Sequence, residues 1–198
     1  MSAIEILLTG FGPFLDVELN PSGELASALD GRELAGARVR STILPVTFGG
    51  VGPALDAALE SLFDVPPAAL LSMGVQREAW FRVERRARPE LGSNQLDGDG
   101  LRGAEVGPLG EREFVTGLEL EPLVEALRRG GAGEAGISDD AGGYVCECTY
   151  HALLERAERL GVPALFLHVP PVQAVPVEQQ LSPVSALIEE LVRQTAAQ

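Results

Sequence analysis

The sequence predicts a single-domain α/β fold in three layers, an α/β/α sandwich around a largely parallel, mixed central sheet. Short apolar runs that end at glycine or proline alternate along the chain with stretches of helical spacing. The 198 residues lie near the upper end for one domain, with no obvious linker or internal repeat anywhere in 1–198. Hydrophobic residues make up 45% of the chain, enough for a sizeable core.

Ile4 to Thr9 is an apolar run that reads as the first strand and leads into the turn Gly10-Phe11-Gly12-Pro13-Phe14. Asn20-Pro21-Ser22 is a helix start, with Asn20 as cap and Pro21 in the first helical position, and the helix runs to about Leu29. Arg38 to Leu44 alternates and stops at Pro45, as a strand does. Val51, Leu55, Leu59 and Leu62 set a helix over Gly50 to Phe63. Ala68 to Met73 is a buried strand stopped by Gly74. Ala79 to Arg85 alternates, with Trp80, Arg82 and Glu84 on one side and Phe81, Val83 and Arg85 on the other.

Residues 89–117 are rich in glycine and proline and read as a loop excursion. Leu118 to Arg129 is helical, Gly130 to Gly143 irregular, and Tyr144 to Leu160 helical with Val145, Leu153 and Leu154 inward. Val162 to Val169 is a strand stopped by Pro170-Pro171. Ser182 to Thr195 closes the chain as a helix, with Ser182 the cap and Pro183 just inside it.

The charge narrows the function classes. A net charge of −14, from 29 acidic against 15 basic residues, repels phosphate backbones and anionic lipid, so neither nucleic acid nor membrane is an expected partner. The apolar runs fall far below the ~20 residues that cross a bilayer. The N-terminus has no basic segment ahead of its apolar stretch, so it reads as a strand and not as a signal peptide. The expected location is cytoplasmic. The two cysteines, Cys146 and Cys148, supply neither a disulfide framework nor a zinc quartet, and free thiols fit a reducing compartment.

Chemistry gathers around Cys146. The turn Asp139-Asp140-Ala141-Gly142-Gly143-Tyr144-Val145 delivers it to the start of a helix, where free N–H groups and positive potential favour thiolate and can hold an oxyanion. The competing reading is a small buried hydrophobe, and that reading suits Cys148, about 200° further around the helix. Of the two histidines, His151 lies about 140° from Cys146 on the same helix and points away. His168 ends the strand ALFLHV, and the carboxyl ends of parallel strands are where α/β sheets collect ligands. Glu84, near the end of WFRVERR, is the candidate third group that orients the imidazole; taken alone it also fits a solvated carboxylate.

Five blocks then occur in order: TGFGPFLDVELNPS, LPVTFGG, VER, SDDAGGYVCECTYHALL and FLHVPP. Together, over about residues 8–171, they resemble the pyroglutamyl peptidase I family, also called pyrrolidone-carboxylate peptidases. The resemblance implies a cysteine peptidase that cleaves the amide after an N-terminal pyroglutamyl residue of a peptide, without metal or cofactor. It implies a triad of Glu84, Cys146 and His168, and a lactam pocket walled by Phe11, Phe14, Tyr144 and Val145. It also implies a homo-oligomer, dimer or tetramer. The pattern departs from the family at three places. The segment GVQREAWFRVER is one residue shorter; Asn94 stands near where the family carries an arginine; and Glu147 replaces the common asparagine after the nucleophile. Arg77, Arg88 and Arg102 are candidates to replace that arginine. Two other readings fit the same residues: a homologue that binds pyroglutamyl-like ligands with little or no cleavage, and another cysteine-dependent amidohydrolase.

Overall fold

The computed structural model describes residues 4–15 and 17–196. Its centre is a sheet whose strands follow the expected alternation. β1 (Ile4–Phe11) lies between β3 (Ala37–Leu44) and β4 (Ala69–Val75), parallel to both, and β4 is parallel to β9 (Ala164–Val169). Beyond β9 lies β5 (Phe81–Glu84), antiparallel to it, and then β8 (Ala135–Ser138), parallel to β5. The short β2 (Glu33–Leu34) closes the other edge against β3, also antiparallel. The order is thus β2-β3-β1-β4-β9-β5-β8.

Both faces of this sheet are covered, which is why its inner strands read as nearly continuous apolar runs. Ile6, Leu8, Leu71, Met73, Leu165 and Leu167 point to one side. There they meet α1 (Pro21–Leu29), α4 (Leu120–Arg129) and α6 (Val177–Ala196). Leu7, Leu70 and Phe166 point to the other, under α2 (Phe48–Leu62) and α5 (Val145–Leu160). The three-layer, mostly parallel architecture matches the expectation.

α6 starts five residues before the expected Ser182. Gln179 and Gln180 donate their backbone N–H groups to Pro176 O at 3.0 and 3.3 Å, so the first turn forms there and Pro183 falls inside the helix. Ser182-Pro183 has the form of a cap and first residue, but the amide of Gln180 also ties this earlier start to Pro170 O and Val175 O. At the same contact a Cβ on Gly130, the end of α4, would lie 2.6 Å from Pro183 Cα; only glycine lets the two helices approach this closely.

Two regions read as irregular contain short elements. β8 has the sequence AGIS, too small and too short to signal a strand, and is ordered by pairing with β5. The 89–117 excursion holds α3 (Gly103–Val106) and β7 (Phe114–Val115), which pairs with β6 (Arg86–Ala87). Among the described residues, no helix is long and apolar enough to cross a membrane.

Candidate active site

The chain leaves β4, passes the carboxyl end of β9 and returns as β5. This reversal places Arg82 opposite His168 and Glu84 opposite Phe166. Side chains two residues apart share a face. Arg82, Glu84, Phe166 and His168 therefore all point toward α5.

On that face His168 Nδ1 lies 2.7 Å from Glu84 Oε1, with the glutamate wholly buried and the histidine 3% exposed. Nδ1–H donating to the carboxylate leaves Nε2 free as an acceptor. The Phe166 ring, 5.0 Å from the imidazole, and the Tyr150 hydroxyl, which donates to Glu84 O at 2.9 Å, fix the surroundings. Arg82 Nε stands 3.4 Å from the same Glu84 Oε1.

α5 brings Cys146 to this face. Gly142 and Gly143 have φ of 96° and 64°, a left-handed turn that suits glycine, and Tyr144 then caps the helix with no side-chain hydrogen bond. The helix therefore begins with backbone N–H groups that no side chain caps. The Cys146 Sγ rests over Gly74, the residue directly opposite His168 on β4. A Cβ on Gly74 would lie only 2.8 Å from that sulfur, so the absence of a side chain makes the seat of the thiol. Glu84, Cys146 and His168, distant in sequence, thus gather on one face of the sheet.

The electrostatics differ from the expectation drawn from the helix start alone. Burial, together with the nearby Glu84 and Glu147 carboxylates, pushes the Cys146 thiol up to about 12; Arg82 and the helix N–H act in the opposite direction and are outweighed. This direction favours the thiol over the thiolate. Behind it, the wholly buried Glu147 accepts hydrogen bonds from Arg88 N at 2.7 Å, Gly143 N at 3.2 Å and Arg88 Nη2 at 3.2 Å. Burial holds the Glu147 carboxyl above its usual range. Arg88, also bound to Asp140, is committed to this cluster.

In front of the thiol lies a cavity of about 880 Å³. Phe11, Phe14, Tyr144 and Val145 line it together with Cys146. The aromatic turn is held from α1: Asn20 caps that helix through Ser22 N and also donates to Gly12 O at 3.0 Å. Ser22 Oγ in turn accepts from Phe11 N. Tyr144 packs edge-on to Phe48 at 5.6 Å, and its hydroxyl donates to Leu96 O at 2.8 Å. Asp97 anchors that loop by accepting from Phe48 N, Asp99 N and Leu101 N.

Of the three candidate arginines, Arg77 lines the cavity, Arg88 lies in the Glu147 cluster, and Arg102 is exposed at the start of α3. Asn94 is exposed, outside the cavity lining. Sequence reasoning passed over Gln76, whose buried Oε1 has no hydrogen-bond partner and which lines the cavity beside Arg77. Its only signal was an amide at the end of an apolar strand. His151 points away, its Nε2 3.1 Å from Arg112 O.

These environments make a reactivity test. Iodoacetamide should modify Cys146 well before Cys148, because Cys146 opens on the cavity whereas Cys148 is 6% exposed with its thiol against Phe48 O. The Cys146 rate should climb by roughly tenfold per pH unit from about pH 7 to about pH 9, since thiolate is scarce well below the thiol's own value. Preferential labelling of Cys148, or a rate already level near neutrality, contradicts this picture.

Comparison with known proteins points one way. The sequence pattern of the family described as pyroglutamyl peptidase matches residues 4–197. The pyrrolidone-carboxylate peptidase of Mycobacterium tuberculosis is 30% identical over a 212-position alignment covering 97% of this chain and 94% of the relative. That of Halalkalibacterium halodurans is 31% identical over 170 positions, covering 83% of each. In three dimensions, the crystal structure of Bacillus amyloliquefaciens pyroglutamyl peptidase I has the same fold, with a TM-score of 0.87 at 23% identity over 97% of this chain and 98% of that one. The pyrrolidone carboxyl peptidase of Fervidobacterium islandicum matches with a TM-score of 0.86 at 26% identity, over 96% and 99%.

Proposed function

The chain belongs to the pyroglutamyl peptidase family, and from that membership we propose that it hydrolyses the amide linking an N-terminal pyroglutamyl residue to the rest of a peptide, with Cys146 as nucleophile, His168 as base and Glu84 orienting the imidazole. The observation that carries the residue roles is the 2.7 Å contact of Glu84 with His168 Nδ1, on the face where Cys146 Sγ sits over Gly74.

The thiol form sets the first step. His168 Nε2 takes the Cys146 proton as the sulfur attacks the pyroglutamyl carbonyl, and the buried Glu84 stabilises the imidazolium that forms. N–H groups at the start of α5 hold the oxyanion. The tetrahedral species collapses, the C–N bond breaks, and the imidazolium gives its proton to the departing amine. Water, activated by His168, then hydrolyses the thioester and releases pyroglutamate.

The lactam is flat, compact and neutral, which suits the part of the cavity lined by Phe11, Phe14, Tyr144 and Val145. Gln76 supplies the unpaired amide carbonyl that a lactam N–H needs. The cavity extends beyond one five-membered ring, leaving room for the residues that follow it. Removing one apolar wall by Phe14→Ala should lower kcat/KM by about 1–3 kcal/mol. Undiminished efficiency on pyroglutamyl substrates would move the pocket elsewhere.

The whole chain, 1–198, acts in this reading as one peptidase domain, in the cytoplasm, where its two thiols stay reduced, and as a homo-oligomer. The direct test is a panel of peptides with a chromogenic leaving group and pyroglutamate, proline, glutamine or glutamate at the N-terminus. Cleavage confined to the pyroglutamyl member is expected. Binding without turnover, or turnover of another member instead, overturns the reading.

A further inference from the structure

Glu84 is fully buried, and its Oε1 faces two groups, His168 Nδ1 at 2.7 Å and Arg82 Nε at 3.4 Å. Its Oε2 and the buried Arg82 Nε have no hydrogen-bond partner. A carboxylate withdrawn from water is costly unless a counter-charge accompanies it. The Arg82 guanidinium stands there, directly opposite His168 across the β5–β9 ladder and 6.0 Å over the Trp80 ring. Arg82, like Glu84 and His168, is outside the cavity lining, and its guanidinium lies against the carboxylate of the pair.

Among the described residues, the ionisable groups that α5 brings near the pair supply no second free cation. From α5 come the Cys146 thiol and the Tyr150 hydroxyl, both neutral at rest, and Glu147, which is already bound to Arg88. A fixed cation beside a carboxylate–imidazole pair makes the arrival of a further proton more costly.

We propose that Arg82 is a positioning residue that keeps the Glu84–His168 pair free of a surplus proton, so that the imidazole stays available to take the proton of Cys146. The role rests on the assignment of His168 as base made above. It requires a cation at position 82, not arginine in particular.

The test uses Arg82→Gln and Arg82→Met, the second keeping an aliphatic stem against Trp80, with Arg82→Lys as the charge-conserving rescue. With a pyroglutamyl substrate, the acid limb of the kcat/KM profile should move up by about one pH unit in both neutral variants, and Arg82→Lys should restore it. In the free enzyme, NMR of the ring carbons follows the two histidines separately. The His168 titration should move in the same direction, and that of His151 should not. The NMR arm needs no substrate, so a chain that fails to cleave pyroglutamyl peptides still tests Arg82. If either midpoint stays at its wild-type pH in a folded neutral variant, the proposal is overturned. A uniform loss of rate with an unmoved limb does the same, since that is the mark of a structural role.

Discussion

Cys146→Ala and His168→Ala should each lower kcat by more than about 10⁴-fold, and the double variant should be scarcely worse than either, because groups that act as one unit do not contribute additively. Cys146→Ala should leave the circular dichroism and the unfolding midpoint nearly unchanged; His168→Ala should keep the folded spectrum at a lower midpoint, because it opens a buried space and takes away the partner of Glu84. Glu84→Gln should fall between these variants and the wild type: the amide still accepts from His168 Nδ1–H but no longer stabilises the imidazolium. His151→Ala is the control. Its ring packs edge-on to Phe114 at 4.8 Å on the far side of α5, so the change should cost stability and leave kcat unchanged. Wild-type turnover in His168→Ala with loss in His151→Ala would reverse the assignment.

Gly74→Ala should also slow the enzyme, by less than loss of either group, without touching any titratable side chain. The added methyl would meet Cys146 Sγ at 2.8 Å and the Phe166 ring at 3.0 Å, and neither the buried strand nor the ring below it has room to give. The sulfur must move, and a displacement on the order of 1 Å at a reacting atom costs about 10²-fold in rate. Overpacking should also lower stability by about 1–3 kcal/mol. The signature is a fall in kcat with a smaller change in KM, since the Phe11 and Phe14 walls stay in place. Wild-type kcat in a folded Gly74→Ala enzyme would mean that the thiol does not work from its seat over β4.

The contrast between Gly74 and Glu84 shows where reading the sequence stops. Glu84 stood out because alternation along β5 assigned it a face, and His168 because a strand ended there; both are local properties of a short segment. Gly74 read only as the stop of a strand, although it lies within β4 and serves the thiol through space. The standing of Arg82 depends on the register of β5 against β9, a pairing between residues 86 positions apart that no periodicity encodes. The expectation of a low thiol value runs against the direction set by burial and the two carboxylates, for the same reason. The helix start is legible in Gly142-Gly143, but the fields of Glu84 and Glu147 exist only once three elements have met. Likewise β8 is a strand because β5 offers it an edge, and Pro183 sits inside α6 because Gln180 secures an earlier turn. The roles of the site residues are the proposal made above; their gathering on one face is a property of the fold.

The position of β9 has a consequence for the life of the chain before it is complete. Among the described residues β9 is the last strand in chain order, yet it lies in the middle of the sheet, between β4 and β5. A nascent chain that has emerged only as far as α5 can pair β1, β3 and β4, but β5 and β8 have nothing to join them to that half. Closure waits for residues 164–169, and long-range pairings of this kind form late. His168 arrives with that final strand. On the roles proposed above, Cys146 is made before its base, and no base reaches it until residues 164–169 have paired.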